Sequence, residues 1–149
     1  MAANTPFTTF NFSVEITRND NPKPLADAAF SECDGLEMTM ESKTIREGGN
    51  NGRQIRLSGP MAFGQLTLKR GLTQGFDLWQ WLHDTQLKPS LRANAEVVLF
   101  DATHQPTARF VLERCLPTKL KAPALNAKDG LLAVEELQLV YESLEWRLP

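Results

Sequence analysis

The sequence predicts a mainly β domain, an antiparallel β-barrel or β-sandwich of six to eight strands with one flanking α-helix. Three observations predict it. Phe10, Phe12, Val14 and Ile16 alternate with Asn11, Ser13, Glu15 and Thr17, the period of a half-buried strand. The same period returns in several later runs separated by Gly, Pro and Asx turn residues. Only one stretch, Thr73–Thr85, places its apolar residues at helical spacing over several turns.

The length of 149 residues fits one domain over 1–149 with room for a hydrophobic core. Residues 1–75 hold 8 basic and 8 acidic side chains, and residues 76–149 hold 8 and 10. This near balance excludes the basic footprint of a nucleic-acid-binding domain. The first residues lack the positive and apolar regions of a signal peptide, and no run reaches the ~18 apolar residues of a membrane span. Cys33 and Cys115 sit in apolar runs and read as free buried thiols of a chain made in a reducing cytoplasm, a disulfide being the competing reading.

After the first strand, Asn19–Pro24 is turn chemistry, with Asx residues and two prolines. A short strand over Ala29–Cys33 and a turn or bulge at Asp34-Gly35 follow. Leu36, Met38 and Met40 then alternate with charged and polar residues. From about residue 46 to 62 the sequence reads as a long inter-strand loop, rich in Gly and Asn. Reversing the chain needs only about two to five residues, so a loop of this length is either a functional element or a disordered one.

Gly64–Arg70 is the next strand, ended by Gly71. In the helix, Thr73 is the expected N-cap and Asp77 meets the positive end of the helix dipole. Its apolar stripe combines Leu72, Phe76, Trp79 and Leu82 with Leu78 and Trp81, the pattern of core packing against a sheet or barrel end. Asn94–Phe100 and Ala108–Leu116 are strands apolar on both faces, and Pro117 and Pro123 bracket an extended or edge segment. Leu131–Arg147 changes phase after Tyr141, which predicts a strand with a bulge near Glu142 or Ser143, a helix being the competing reading.

Catalytic and metal-binding spacings are missing. His83 and His104 have no His or Cys nearby to complete a zinc site. Ser58 lacks a nucleophile elbow, and Gly48–Gly52 lacks the Lys-Ser/Thr ending of a phosphate loop. Glu135 and Glu136 are adjacent, so on a strand they point to opposite faces. These readings imply no enzyme, no cofactor and no metal.

Several landmarks in order along the chain resemble the contractile-tail tube proteins. Ser31–Glu37 is similar to that family's "sGLe" segment, Arg46-Glu47-Gly48-Gly49-Asn50 to its "REGG" loop, and Leu66–Gly71 to its "LKRG" strand end. Leu78-Trp79-Gln80-Trp81 resembles its tryptophan helix. Pro117-Thr118-Lys119, Pro123-Ala124-Leu125 and Ala133–Leu137 follow its late "P-x-K … GP-x-L … AVE-x-L" pattern, with Ala122 where Gly is usual. Ser58-Gly59-Pro60 follows the family's loop pattern loosely.

The resemblance implies a tail-tube or type VI tube-like fold, assembled into six-fold rings that stack as the inner tube of a phage tail, tailocin or extracellular contractile injection system. It implies self-association as hexameric rings, a contractile sheath, baseplate, spike and terminator proteins as partners, and DNA or protein cargo in the lumen. It places assembly in the bacterial cytoplasm, followed by residence in a phage tail or a released particle. The alternatives are a secreted tube protein of the type VI kind and a monomeric ligand-binding β-barrel.

On that reading the long loop reaches the adjacent ring. Arg46, Glu47, Gly48, Gly49, Asn50, Asn51, Arg53, Ile55, Arg56 and Leu57 are the expected ring-stacking residues. With Lys43, the three arginines make the region basic. Glu135, Glu136, Glu142 and Glu145 are the expected acidic partner surface.

Overall fold

The first alternation becomes β1 (Asn11–Arg18), with Val14 and Ile16 buried and Ser13 and Glu15 exposed. The protein is described by a computed structural model covering residues 11–21, 24–25, 30–46, 48, 52–71, 76–123 and 134–148. Beyond β1 the strands are β2 (Pro24–Leu25), β3 (Glu32–Asp34), β4 (Met38–Arg46), β5 (Gln54–Phe63) and β6 (Gln65–Gly71). After helix α1 (Asp77–Leu87) come β7 (Ala93–Phe100), β8 (Pro106–Lys121), β9 (Val134–Val140) and β10 (Ser143–Arg147).

All pairings are antiparallel, and the main sheet runs β2-β1-β7-β8-β9-β6-β3 with β10 also on β8. β8 joins its two halves. Up to Cys115 β8 pairs with β7, and along Arg109–Glu113 it also pairs with β10 on its other side. From Leu116 onward it pairs with β9. The change of direction is built at Arg114, whose φ of 54° lies in the left-handed region. The Arg114 amide donates to Asn94 Oδ1, and its guanidinium reaches Glu142. The strand continues through Pro117 because the register slips between Pro117 and Lys119, where a missing N–H is tolerated.

The sheet folds onto itself without closing into a barrel, since the ends of its path are β2 and β3. Between the halves lies one apolar cluster. Val14, Ile16, Ala95, Val97 and Leu112 contribute from the first half, and Leu66, Leu68, Leu137 and Leu139 from the second. Helix α1 packs against β8 and adds Leu78 and Trp81, both fully buried. Arg18 ties the end of β1 to this helix through Asp84 at 2.9 Å.

Two expectations about elements change. The helix begins at Asp77, preceded by Phe76 without a side-chain cap, and Thr73 lies outside the described residues. Its inward face is centred on Leu78 and Trp81, Phe76 is exposed, and Trp79 places its indole N–H on Glu135. The long loop is mostly strand. β4 and β5 form a separate two-stranded ribbon, and only residues 47–53 lie between the arms. Ile45 pairs with Ile55 and Met40 with Met61 across the ribbon, an arrangement that the Gly- and Asn-rich tip obscures in the sequence.

The final run is strand, as its alternation predicts, with its break at Tyr141 and Glu142 between β9 and β10. The stretch 131–133 lies outside the described residues.

Candidate assembly interface

Among the described residues the β4–β5 ribbon is anchored at its root. Every residue of β4 is exposed, and the two arms pack on each other. An isolated two-stranded ribbon is marginally stable in water at best, so the root must fix it. Tyr141, buried at the β9–β10 break, does so. Its hydroxyl accepts from the Glu37 amide at 3.0 Å and lies 2.8 Å from the Gly35 carbonyl and 3.1 Å from the Glu37 carbonyl. The ring also packs on Phe63 at the end of β5, with centroids 5.7 Å apart. Gly35 lies at φ +110°, and a Cβ there would sit 2.0 Å from the Gln65 carbonyl oxygen. The Gly64 amide closes the base by donating to Glu37 O at 3.0 Å.

A bulge divides the ribbon. Met40 pairs with Met61 and Ser42 with Ser58, so Gly59 and Pro60 together oppose Glu41. A Cβ at Gly59 would lie 2.0 Å from the Glu41 carbonyl oxygen, so this close approach requires glycine. Below the bulge the apolar pairs are Met38 with Phe63 and Met40 with Met61. Above it they are Ile45 with Ile55, and Leu57 opposite Lys43. Along β4 these groups have opposite parity, so the apolar side chains change face between root and tip. Met38, Met40, Ile45, Leu57 and Met61 are all exposed, Met40 by 51%.

Of the expected stacking residues, Arg46, Gly48, Arg53, Ile55, Arg56 and Leu57 fall on the tip half, and the structure brings them together there. Glu47, Gly49, Asn50 and Asn51 lie outside the described residues. Arg46, Arg53 and Arg56 are exposed and have no ion pair among the described residues.

The expected acidic surface does not hold together. Glu135 is 1% exposed and faces inward. It pairs with the buried Arg70 and accepts from Trp79 Nε1 at 2.9 Å, while Arg70 also reaches Asp77 at 2.7 Å and lies over the Phe30 ring. A lone buried charge is costly, so this carboxylate belongs to an internal network and is removed from the surface set. Glu136 is half-buried on the opposite face, where Gln138 donates to it. Glu142 is held by Arg114 and Glu145 by Arg147 at 3.1 Å. Strand alternation signalled the split between Glu135 and Glu136. The sequence reading missed Tyr141 and the Arg70–Glu135 pair, although an ionisable residue within each apolar run was a usable signal.

A second feature lies between the free edge of β1 and β3. Only Ile16 and Thr17 of β1 pair with β2, so residues 11–15 carry no strand on that side among the described residues. A cavity of about 440 Å³ opens there, lined by Phe12, Leu36, Val97, Leu99 and Phe110, with Cys33 and polar residues at its rim. Burial pushes the Cys33 thiol up to about 11 and the Cys115 thiol up to about 12, which leaves both protonated and poorly nucleophilic. Among the described residues no cluster of three or more His, Cys, Asp or Glu could hold a metal ion, and no helix is long and apolar enough to cross a membrane.

Residues 8–145 match the model of the T4-like virus tail tube protein gp19 family. The chain belongs to that family. The match spans nearly the whole sequence, so the tail tube reading covers the ribbon, the helix and both halves of the sheet. Among solved structures, this tail tube protein is similar to a chain of the anti-feeding prophage baseplate, a six-fold symmetrised cryo-EM structure. The two are 27% identical with a TM-score of 0.83 over 96% of each chain. A chain of the extended PVC sheath–tube complex, an extracellular contractile injection system, shares the fold at 19% identity and a TM-score of 0.79, over 99% of this chain and 95% of that one. Hcp1 from Flavobacterium johnsoniae also shares it, at 11% identity and a TM-score of 0.60, over 92% and 96%. No curated protein sequence matches the chain.

Proposed function

We propose that this tail tube protein is the repeating subunit of the inner tube of a contractile injection machine, forming six-fold rings that stack through the β4–β5 ribbon. The observation that carries the reading is the ribbon itself. It stands off the core with five large apolar side chains exposed, an arrangement suited to burial against another subunit. Heterologous contacts that close within a ring and repeat between rings generate a tube without an active site. The likeness to chains from a baseplate, a sheath–tube complex and a sheath/tube terminator structure supports a surrounding sheath, baseplate and terminator partners. On this reading the subunit assembles in the bacterial cytoplasm, ends in a phage tail or released particle, and conducts DNA or protein cargo.

A secreted type VI-like tube protein is the second reading, favoured by the fold shared with Hcp1, at a lower TM-score than the sheath–tube chain. Electron microscopy of concentrated purified protein tests the main reading. Rings and tubes are expected, and they should be absent when residues 44–56 are replaced by a tight Asn-Gly turn. A stable monomer at every concentration by size-exclusion chromatography overturns it.

A further inference from the structure

We infer that the cavity between β1 and β3 is the seat for the ribbon tip of a second copy of this chain, with Ile45, Ile55 and Leu57 entering it. The inference rests on the stacking role proposed above and names the surface that receives the ribbon.

The chemistry of the two surfaces matches. The tip carries three apolar side chains on one face, and the cavity is walled by Phe12, Leu36, Val97, Leu99 and Phe110. Its volume of about 440 Å³ accommodates several aliphatic side chains. Trp146, 65% exposed, extends the apolar floor, because it pairs with Phe110 across β8 and β10. Charge agrees as well. Glu32 and Asp34 flank Cys33 on β3, and both are exposed. Glu32 is held loosely by Lys69 at 3.4 Å, and Asp34 has no ion pair among the described residues. At the tip, Arg46 and Arg56 project from the face opposite Ile45, Ile55 and Leu57, and Arg53, beside the start of β5, supplies the positive charge; it likewise has no ion pair among the described residues. The acidic counterpart of Arg53 is therefore the β3 edge rather than the last strand.

Geometry excludes the chain's own tip as the occupant. Leu36 lines the cavity and immediately precedes the ribbon root, whereas Arg46 lies eight residues beyond Met38 along β4. At ~3.3 Å per strand residue the tip stands roughly 25 Å from the cavity beside its own root. A projection at one end and a socket at the other form a heterologous pair, and such a pair propagates from copy to copy.

A cysteine at Ser31, which is exposed and lines the cavity, provides the test. Ser31→Cys is combined in turn with Ile45→Cys, Ile55→Cys and Leu57→Cys in a Cys33→Ala, Cys115→Ala background, assembled, and oxidised by air oxygen with copper–phenanthroline. At least one combination should give a ladder of covalent oligomers on a non-reducing gel, lost with dithiothreitol and lost when Ser31 is left native. Assembled tubes that yield no ladder from any of the three positions overturn the seat. Charge exchange gives a second readout independent of cysteine. Glu32→Arg and Arg53→Glu should each lower the assembled fraction by about tenfold, and the two together should restore it. A folded double variant that assembles no better than either single one overturns the seat. The ribbon-shortened protein separates the two levels. If it still forms tubes, the stacking role itself fails. If it does not, and the cysteines and charge pair are silent, only the seat between β1 and β3 fails.

Discussion

Arg70 and Glu135 face each other across β6 and β9 as register partners, each no more than 2% exposed, and their side chains form a buried ion pair. Trp79 of the helix donates to the same carboxylate. The pair thus clamps α1 to the second half of the sheet. Removing Glu135 leaves the buried Arg70 with Asp77 alone and takes away the acceptor of the Trp79 indole. Glu135→Ala should cost about 3–5 kcal/mol in urea unfolding, whereas the double change Arg70→Met with Glu135→Leu should be nearer neutral.

Tyr141 fixes the ribbon root through its hydroxyl and through its ring. Tyr141→Phe keeps the ring packing on Phe63 and strands the Glu37 amide. A loss of about 1–3 kcal/mol is expected, with faster amide hydrogen exchange concentrated at residues 35–37.

Gly35 is required by its backbone. At φ +110°, with the Gln65 carbonyl 2.0 Å from any Cβ, Gly35→Ala forces β3 away from β6. The thermal midpoint should fall, corresponding to roughly 1–3 kcal/mol or more, and tube formation should fall with it.

Acid sensitivity follows from Asp84 and Asp20. The Gln80 amide and then the Arg18 guanidinium hold Asp84 below its ordinary 3.8, and Arg18 does the same to Asp20. Their folded values lie below their unfolded ones, so the stabilisation is fully present above 3.8 and is lost as pH falls through the lowered values. The thermal midpoint of the subunit should decline below about pH 4, and Asp84→Asn should flatten that decline.

Reversal of the tip charge separates folding from assembly. Arg53 and Arg56 are exposed and make no contact that the fold uses. Arg53→Glu with Arg56→Glu should leave the unfolding midpoint within about 0.5 kcal/mol of the parent. The same variant should form no tubes by electron microscopy.

Much of the fold was legible because a strand with one buried face shows its period directly. β1, β6 and the β9–β10 break at Tyr141–Glu142 follow from alternation in residues 11–18, 65–71 and 134–147, and β7 from an apolar run with both faces covered. The ribbon was not legible, because neither face is buried within one subunit. Its apolar residues change parity at Gly59-Pro60, which breaks the single period that a reader tracks. Arg114 bends β8 by adopting a positive φ that arginine rarely takes, and only Asn94 and Glu142, distant in sequence, reveal why. The fate of Glu135 had a similar cause. Its partner Arg70 is 65 residues away, so composition shows an acidic run where the fold places one carboxylate inside and its neighbour outside.

The change of face at the Gly59 bulge has a consequence for the subunit before it meets a partner. Spread over both sides of the ribbon, the exposed apolar groups form two small patches instead of one large one. Small separated patches resist indiscriminate sticking better than one continuous stripe, so the subunit is expected to be less prone to non-specific association than a ribbon without the bulge. A partner that grips the ribbon from both sides recovers the whole apolar area at once. Solubility while waiting and firmness once docked thus come from a single two-against-one irregularity in a strand pair.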